Sequence, residues 1–160
     1  MKKATILILA VFMVGFLMAC SGGGDGSPSM AALSVLYAPN PVDKSPDGRF
    51  HSRMTLMEEN GIGAEIVWWR SSYYNADDSP RTTFEFTSAD FVRWFNDCGG
   101  TGTYIPGGGS RCADWWYEGG AAYGTFTFAG RDDLGNTVEG TGRVDFNQGR
   151  DKSLSDRISN

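Results

Sequence analysis

Chemistry in this 160-residue chain has few places to happen. There is one histidine, His51, and there are three cysteines, Cys20, Cys98 and Cys112. A lone histidine makes no triad without positioned partners, and His51 falls on the polar side of an alternating run. None of the serines sits in a nucleophile elbow. Two carboxylates suffice to cleave a glycosidic bond, and Glu58, Glu59, Glu65, Glu85 and Glu118 are the candidates. Acids on strands usually face water, so the expectation is a protein that is not an enzyme. Metal ligands are as sparse. Zinc wants four ligands, and Cys98 with Cys112 supplies two. Asp77-Asp78 and Asp132-Asp133 offer oxygens to calcium, which takes six or more. Solvation is the plainer reading of Asp77-Asp78, and calcium stays open for both pairs. Gly99-Gly100, Gly102 and Gly107-Gly108-Gly109 evoke a phosphate loop. Neither the dinucleotide fingerprint nor the P-loop lysine is present. No cofactor and no metal is expected.

Aromatic residues are the other candidates, and they come as neighbours: Trp68-Trp69, Tyr73-Tyr74 and Trp115-Trp116. Successive side chains of a strand point to opposite faces. Of each tryptophan pair, one member should therefore face outward or toward the helix signalled further along. Trp68 is expected inside, on one face with Ala64 and Ile66. Trp69 and Trp116 are expected outside, with Tyr73 and Tyr74 on an adjoining loop. Such an exposed aromatic patch marks a contact site, and its partner is either a protein or a glycan.

The elements that would position these residues begin behind a leader. Lys2-Lys3, the apolar run from Ile6 to Phe16 and a small residue before Cys20 form a secretory signal. The run is short of the ~20 apolar residues of a transmembrane helix. Leu17-Met18-Ala19-Cys20 resembles the lipobox of bacterial lipoproteins. The resemblance implies residues 1–19 as a cleaved signal peptide, lipid on Cys20 and a membrane as partner. Ser21, in place of an aspartate, implies the outer membrane under the Gram-negative sorting rule. Residues 20–31, rich in glycine and serine, are expected to form a flexible tether with a reach of roughly 15–20 Å. With Cys20 lipidated, Cys98 and Cys112 remain as a pair in an oxidising compartment, and a disulfide is expected. The loop it closes is read as slack chain, and closing about 15 residues contributes about 3 kcal/mol. With Lys2 and Lys3 removed and no acid lost, the formal charge moves from −5 to −7. An acidic chain lacks the basic stripe that nucleic acid requires.

Residues 32–147 read as one β domain. Alternation marks strands at Leu33 to Ala38, Arg49 to Glu58, Ala64 to Arg70, Thr82 to Thr87, Tyr123 to Gly130 and Thr137 to Phe146, with a short aromatic one at Ala113 to Tyr117. Pro39-Asn40-Pro41, Ser45-Pro46-Asp47-Gly48 and Asn60-Gly61-Ile62-Gly63 break the pattern. One helix is signalled. Thr87 and Asp90 have capping-box spacing, and Phe91, Trp94 and Phe95 follow at helical intervals. Tyr123, an alternating strand, Asp133-Leu134-Gly135-Asn136 and a closing strand resemble the end of bacterial immunoglobulin-like domains of the fibronectin and hyalin-repeat kind. The resemblance implies an all-β, immunoglobulin-like antiparallel β-sandwich with one short helix. It also implies Tyr123 in the tyrosine-corner role and Trp68 as the buried tryptophan of the third strand. The inter-sheet disulfide of antibody domains is missing. Residues 148–160, charged and poor in apolar side chains, are expected to be a mobile tail. The functional expectation is a lipid-anchored, non-catalytic envelope protein with structural or protein-contact roles. Glycan binding is the alternative, and a glycosidase-like enzyme comes third.

Overall fold

The structure is a computed structural model and describes residues 30–148. The signal peptide, Cys20, the tether as far as residue 29 and the tail from residue 149 lie outside the described residues. The described chain runs through β1 (Leu33–Ala38), β2 (Val42–Asp43), β3 (Phe50–Glu58), β4 (Ala64–Tyr74), β5 (Pro80–Thr87), α1 (Ser88–Trp94), β6 (Tyr104–Ile105), β7 (Ser110–Tyr117), β8 (Tyr123–Asp132) and β9 (Thr137–Asn147). One sheet has the order β1-β3-β7. The other has the order β2-β9-β8-β4-β5, with β6 also paired to β4. The short β2 runs parallel to β9, and the other pairings are antiparallel. This strand order is that of an immunoglobulin-like sandwich. Among the described residues no strand pairs with the outer edge of β7, and the chain forms α1 between β5 and β7 instead.

Alternation builds the core. Phe50, Met54 and Leu56 point inward from β3, while His51 and Arg53 point to solvent. They meet Phe126, Phe128, Val138, Val144 and Phe146 from the facing sheet. Thr87 caps α1 with a reciprocal pair: its hydroxyl accepts from the Asp90 N–H, and the Asp90 carboxylate accepts from the Thr87 N–H. The helix drops Phe91, and Phe95 just after it, against Trp69 and Phe128.

Strand β4, which takes the place of the third strand of an immunoglobulin-like domain, corrects one expectation. Trp69 is buried, 4% exposed, and Trp68 stands out at 36%. The cause is a bulge. On β8, Ile66 is opposite Gly130 and Trp68 is opposite Ala129, so Val67 is an extra residue. An extra residue reverses the alternation beyond it. Ala64 and Ile66 face inward before the bulge; Trp69, Ser71 and Tyr73 face inward after it. Gly130 permits this, because a Cβ there would lie 2.2 Å from the Glu65 carbonyl oxygen. The strand also continues past Arg70. Tyr73 and Tyr74 belong to β4 rather than to a loop, and Tyr73 is buried, 4% exposed. Trp69, not Trp68, is thus the buried tryptophan of the third strand.

Two more expectations change. Ala31, assigned to the tether, is buried, and its N–H donates to Asp132 Oδ2 at 3.0 Å. The loop between Cys98 and Cys112 is not slack. Its cysteines are joined in a disulfide. It contributes β6, whose Ile105 is fully buried. Arg111 is buried beneath it and donates from Nη2 to the carbonyls of Thr101 and Tyr104, both at 2.6 Å. A disulfide of this kind marks an extracytoplasmic protein.

Glu58 ties the neighbouring turns together. It is buried at the end of β3 and accepts from the N–H groups of Ala32, Asn60, Gly61 and Gly108. Burial works against its charge, but the four donors outweigh it and hold the carboxyl below its ordinary value. Asp132 does the same for the β8–β9 turn, accepting from Ala31, Leu134 and Asn136.

Candidate functional site, an aromatic groove at the open edge

Among the described residues no fourth strand extends the smaller sheet past β7, and none covers the inner face of β5. Phe84 and Phe86 point from β5 toward the sandwich interior, opposite Ser71 and Trp69 of β4. Phe84 is nonetheless 50% exposed. Across the gap, Trp115 and Tyr117 point inward from β7, and Tyr117 stacks on Tyr73 at 4.3 Å. The result is a groove of about 690 Å³. Its floor is Trp69, Tyr73, Phe84 and Phe86, and its wall is Trp115 and Tyr117. Trp94 of α1 closes one end; Arg81, Glu118 and Gly119 stand at the other. Trp116, on the outer face of β7, forms the rim and is 45% exposed.

The aromatic floor is close-packed. Trp69 lies under Phe86 at 3.9 Å and 13°, parallel to Phe128 behind it at 5.7 Å, with Phe95 edge-on. Offset stacks of this kind add to the area they bury. Burial pushes the Tyr73 phenol above its ordinary value, so the floor carries no charge. Charge sits at the end away from Trp94. The Arg49 guanidinium lies over the Trp116 ring at 4.2 Å and reaches Glu118 at 3.4 Å. Arg81 donates to the neutral Asn75 Oδ1 at 3.2 Å. Among the described residues no carboxylate lies within ion-pair distance of Arg81.

The residues singled out for chemistry scatter. His51 is exposed and pairs with Asp47 at 2.8 Å. Of the five glutamates, Glu58 is enclosed in backbone donors, Glu59 bonds Ser34, and Glu65 accepts from Thr103. Glu85 lies on the outer face of β5, and Glu118 alone lines the groove. Asp77 holds Ser79, Asp78 accepts from the Tyr123 hydroxyl at 2.9 Å, and Asp133 accepts from Tyr104. Among the described residues, no three of His, Cys, Asp or Glu are grouped as a metal would need. Tyr123 begins β8 as a tyrosine corner does, but its hydroxyl reaches the Asp78 side chain in the β4–β5 turn rather than backbone.

Of the expected patch, Trp116 is at the surface, while Trp69 and Tyr73 are buried floor of the groove. Tyr74 is elsewhere, half-buried and stacked on Tyr123 at 4.9 Å. The separate outward patch of Trp69, Tyr73, Tyr74 and Trp116 therefore does not form. Trp115 and Tyr117, already candidates by type, do line the groove, whereas Phe84, Phe86, Trp94 and Arg81 were not legible as site residues. Their one signal was the alternation Phe84-Glu85-Phe86, which marks an apolar face without telling that nothing covers it.

No family model matches the chain, and no curated protein matches it. Among solved structures it is similar to the structural-genomics target SoR45, at 12% identity and a TM-score of 0.40, over 76% of this chain and 88% of that one. It is similar to the ApaA protein from Bordetella pertussis, at 10% identity and 0.39, over 75% and 94%. It is also similar to Spo0M, a sporulation control protein from Bacillus subtilis, at 10% identity and 0.38, over 76% and 51%. At these values the likenesses carry no argument about function.

Proposed function

We propose that this chain is a lipid-anchored envelope protein whose immunoglobulin-like domain is a non-catalytic contact module, and that the contact is made in the aromatic groove between β5 and β7. The observation that carries the reading is Phe84. A large apolar side chain on the inner face of a sandwich stays half exposed, on an aromatic floor that is already packed. Concave, mostly apolar sites of about 300–1,000 Å³ with few polar groups are the usual form of a binding site. The anchor rests on Leu17 to Cys20 behind the apolar run, and the outer membrane on Ser21. A glycan in place of a protein partner is favoured by one feature, the flat exposed ring of Trp116 with Arg49 stacked on it.

Two measurements test the proposal. Cys20→Ala should leave the chain unprocessed and free of labelled fatty acid, and continued labelling would rule out the anchor. A photo-crosslinking benzoylphenylalanine at position 84, introduced in living cells, should trap a partner that the same group at exposed Leu134 does not. Equal trapping from both positions sinks the groove. An adduct that collapses on glycosidase treatment moves the assignment to the glycan.

A further inference from the structure

We infer that the groove takes its partner by β-strand addition: an extended, alternating apolar segment of another protein, with an acidic residue at its N-terminal end, pairs with the free edge of β7. This rests on the groove being the contact site.

The backbone of β7 carries the argument. In an antiparallel ladder, alternate residues turn both N–H and C=O to the same neighbour. Two groups on β7 are seen to bond away from β3. The Cys112 carbonyl accepts from the Asp97 N–H, and the Asp114 N–H donates to Asp97 Oδ2 at 2.9 Å. Cys112 and Asp114 therefore face the open edge, and Trp116 shares their parity. The segment around Asp97 already imitates a neighbouring strand over the first half of this edge. Past it, the Asp114 carbonyl and both backbone groups of Trp116 point into the seat where an immunoglobulin-like sheet continues with one more strand. That seat borders the groove that Phe84 and Phe86 line together with Trp115, Trp116 and Tyr117. A strand placed there satisfies the edge groups and covers the apolar floor with every second side chain.

Antiparallel pairing sets its direction, and charge complementarity its composition. The missing strand runs antiparallel to β7, which leads toward Glu118. The incoming strand therefore starts at the Arg81 end and finishes at Trp94. Arg81 has a neutral partner and no carboxylate, whereas Glu118 is committed to Arg49. An acidic side chain near the start of the strand meets Arg81. The free edge is short, running from the Asp114 carbonyl to the end of β7 at Tyr117, so a short segment fills it.

The probe is the fluorescein-labelled heptapeptide Asp-Ser-Val-Ser-Phe-Ser-Val, titrated by fluorescence polarisation into the full chain held in lipid nanodiscs. Saturable binding is expected. N-methylation of the peptide groups that face β7 should weaken it by about tenfold or more, the equivalent of ~1.4 kcal/mol. Trp116→Pro removes the outward N–H at an edge where proline is tolerated, and should weaken binding well beyond Trp116→Ala. Arg81→Gln should lower affinity for this peptide but not for its Asn counterpart. If the N-methylated peptide binds wild-type protein as well as its parent, strand addition is wrong, while the groove as a contact site survives on the crosslinks from position 84. If the heptapeptide does not bind at all and position 84 traps nothing, both ideas fall. A dimer in sedimentation that Trp116→Pro dissolves would overturn the assignment in favour of a second copy of this chain.

Discussion

Trp69 and Glu58 each join several elements of the interior. Trp69 touches Phe86, Phe95, Phe126 and Phe128 at once. Removing a buried tryptophan costs roughly 3–5 kcal/mol, so Trp69→Ala should lose that much in urea denaturation. Trp68→Ala, one residue earlier and on the outer face, should lose less than about 1 kcal/mol. Equal losses would contradict the bulge. Glu58 gives a pH signature. Its folded carboxyl lies below the ordinary value, burial being overcome by four N–H donors. A depressed carboxyl adds stability above its unfolded pKa of about 4.3, and that stability is lost as pH falls through the folded value. Glu58→Gln turns an amide N–H₂ toward those donors. It should lose about 2 kcal/mol or more at neutral pH, since a bond to a charged group contributes ~1.5–3 kcal/mol. Thermal melts should show its stability falling less steeply below about pH 4. A slope parallel to wild type would remove Glu58 from this role.

At the scale of elements, β4 decides which residues form the groove floor. The bulge at Val67 moves Trp69, Ser71 and Tyr73 inward, and it exists because Gly130 leaves room opposite. A methyl at Gly130 meets the Glu65 carbonyl at 2.2 Å. Overpacking of this sort costs about 1–3 kcal/mol. Gly130→Ala should lower the unfolding free energy by that amount, and it should raise the exposure of Trp69 to acrylamide quenching as the strand realigns. A stable variant with unchanged quenching would show that the bulge tolerates a side chain.

In the whole molecule, the smaller sheet stops at β7 and the larger one continues to β5. The domain is therefore closed on one side and open on the other, with α1 and the Cys98–Cys112 loop beside the gap. The loop is held three ways: by the disulfide, by β6 on β4, and by Arg111 under its carbonyls. Cys98→Ser with Cys112→Ser should thus stay folded and lose up to about 3 kcal/mol, the loop-closure value. Amide exchange at Ile105 should quicken while that at Phe126 keeps its rank. A double variant that cannot fold would mean that β6 and Arg111 contribute nothing independent.

Much of this was legible in the linear chain, because it depends on neighbours. The strands of β1, β3, β5, β8 and β9 follow from apolar period two. The start of α1 follows from Thr87 and Asp90. The disulfide follows from cysteine count and export. What the sequence could not reveal depends on residues far apart. Whether Trp68 or Trp69 faces the core is decided by a one-residue slip against Gly130, 62 positions away, and alternation alone counts straight through it. Whether Phe84 is core or surface is decided by the strand that does not follow β7, and an apolar face reads the same whether or not anything covers it. The sequence by itself determined that this is an exported-type, acidic, all-β domain rich in aromatics. Only the tertiary structure decided that those aromatics form an open groove, because a cleft is a relation between two sheets and no single strand encodes it.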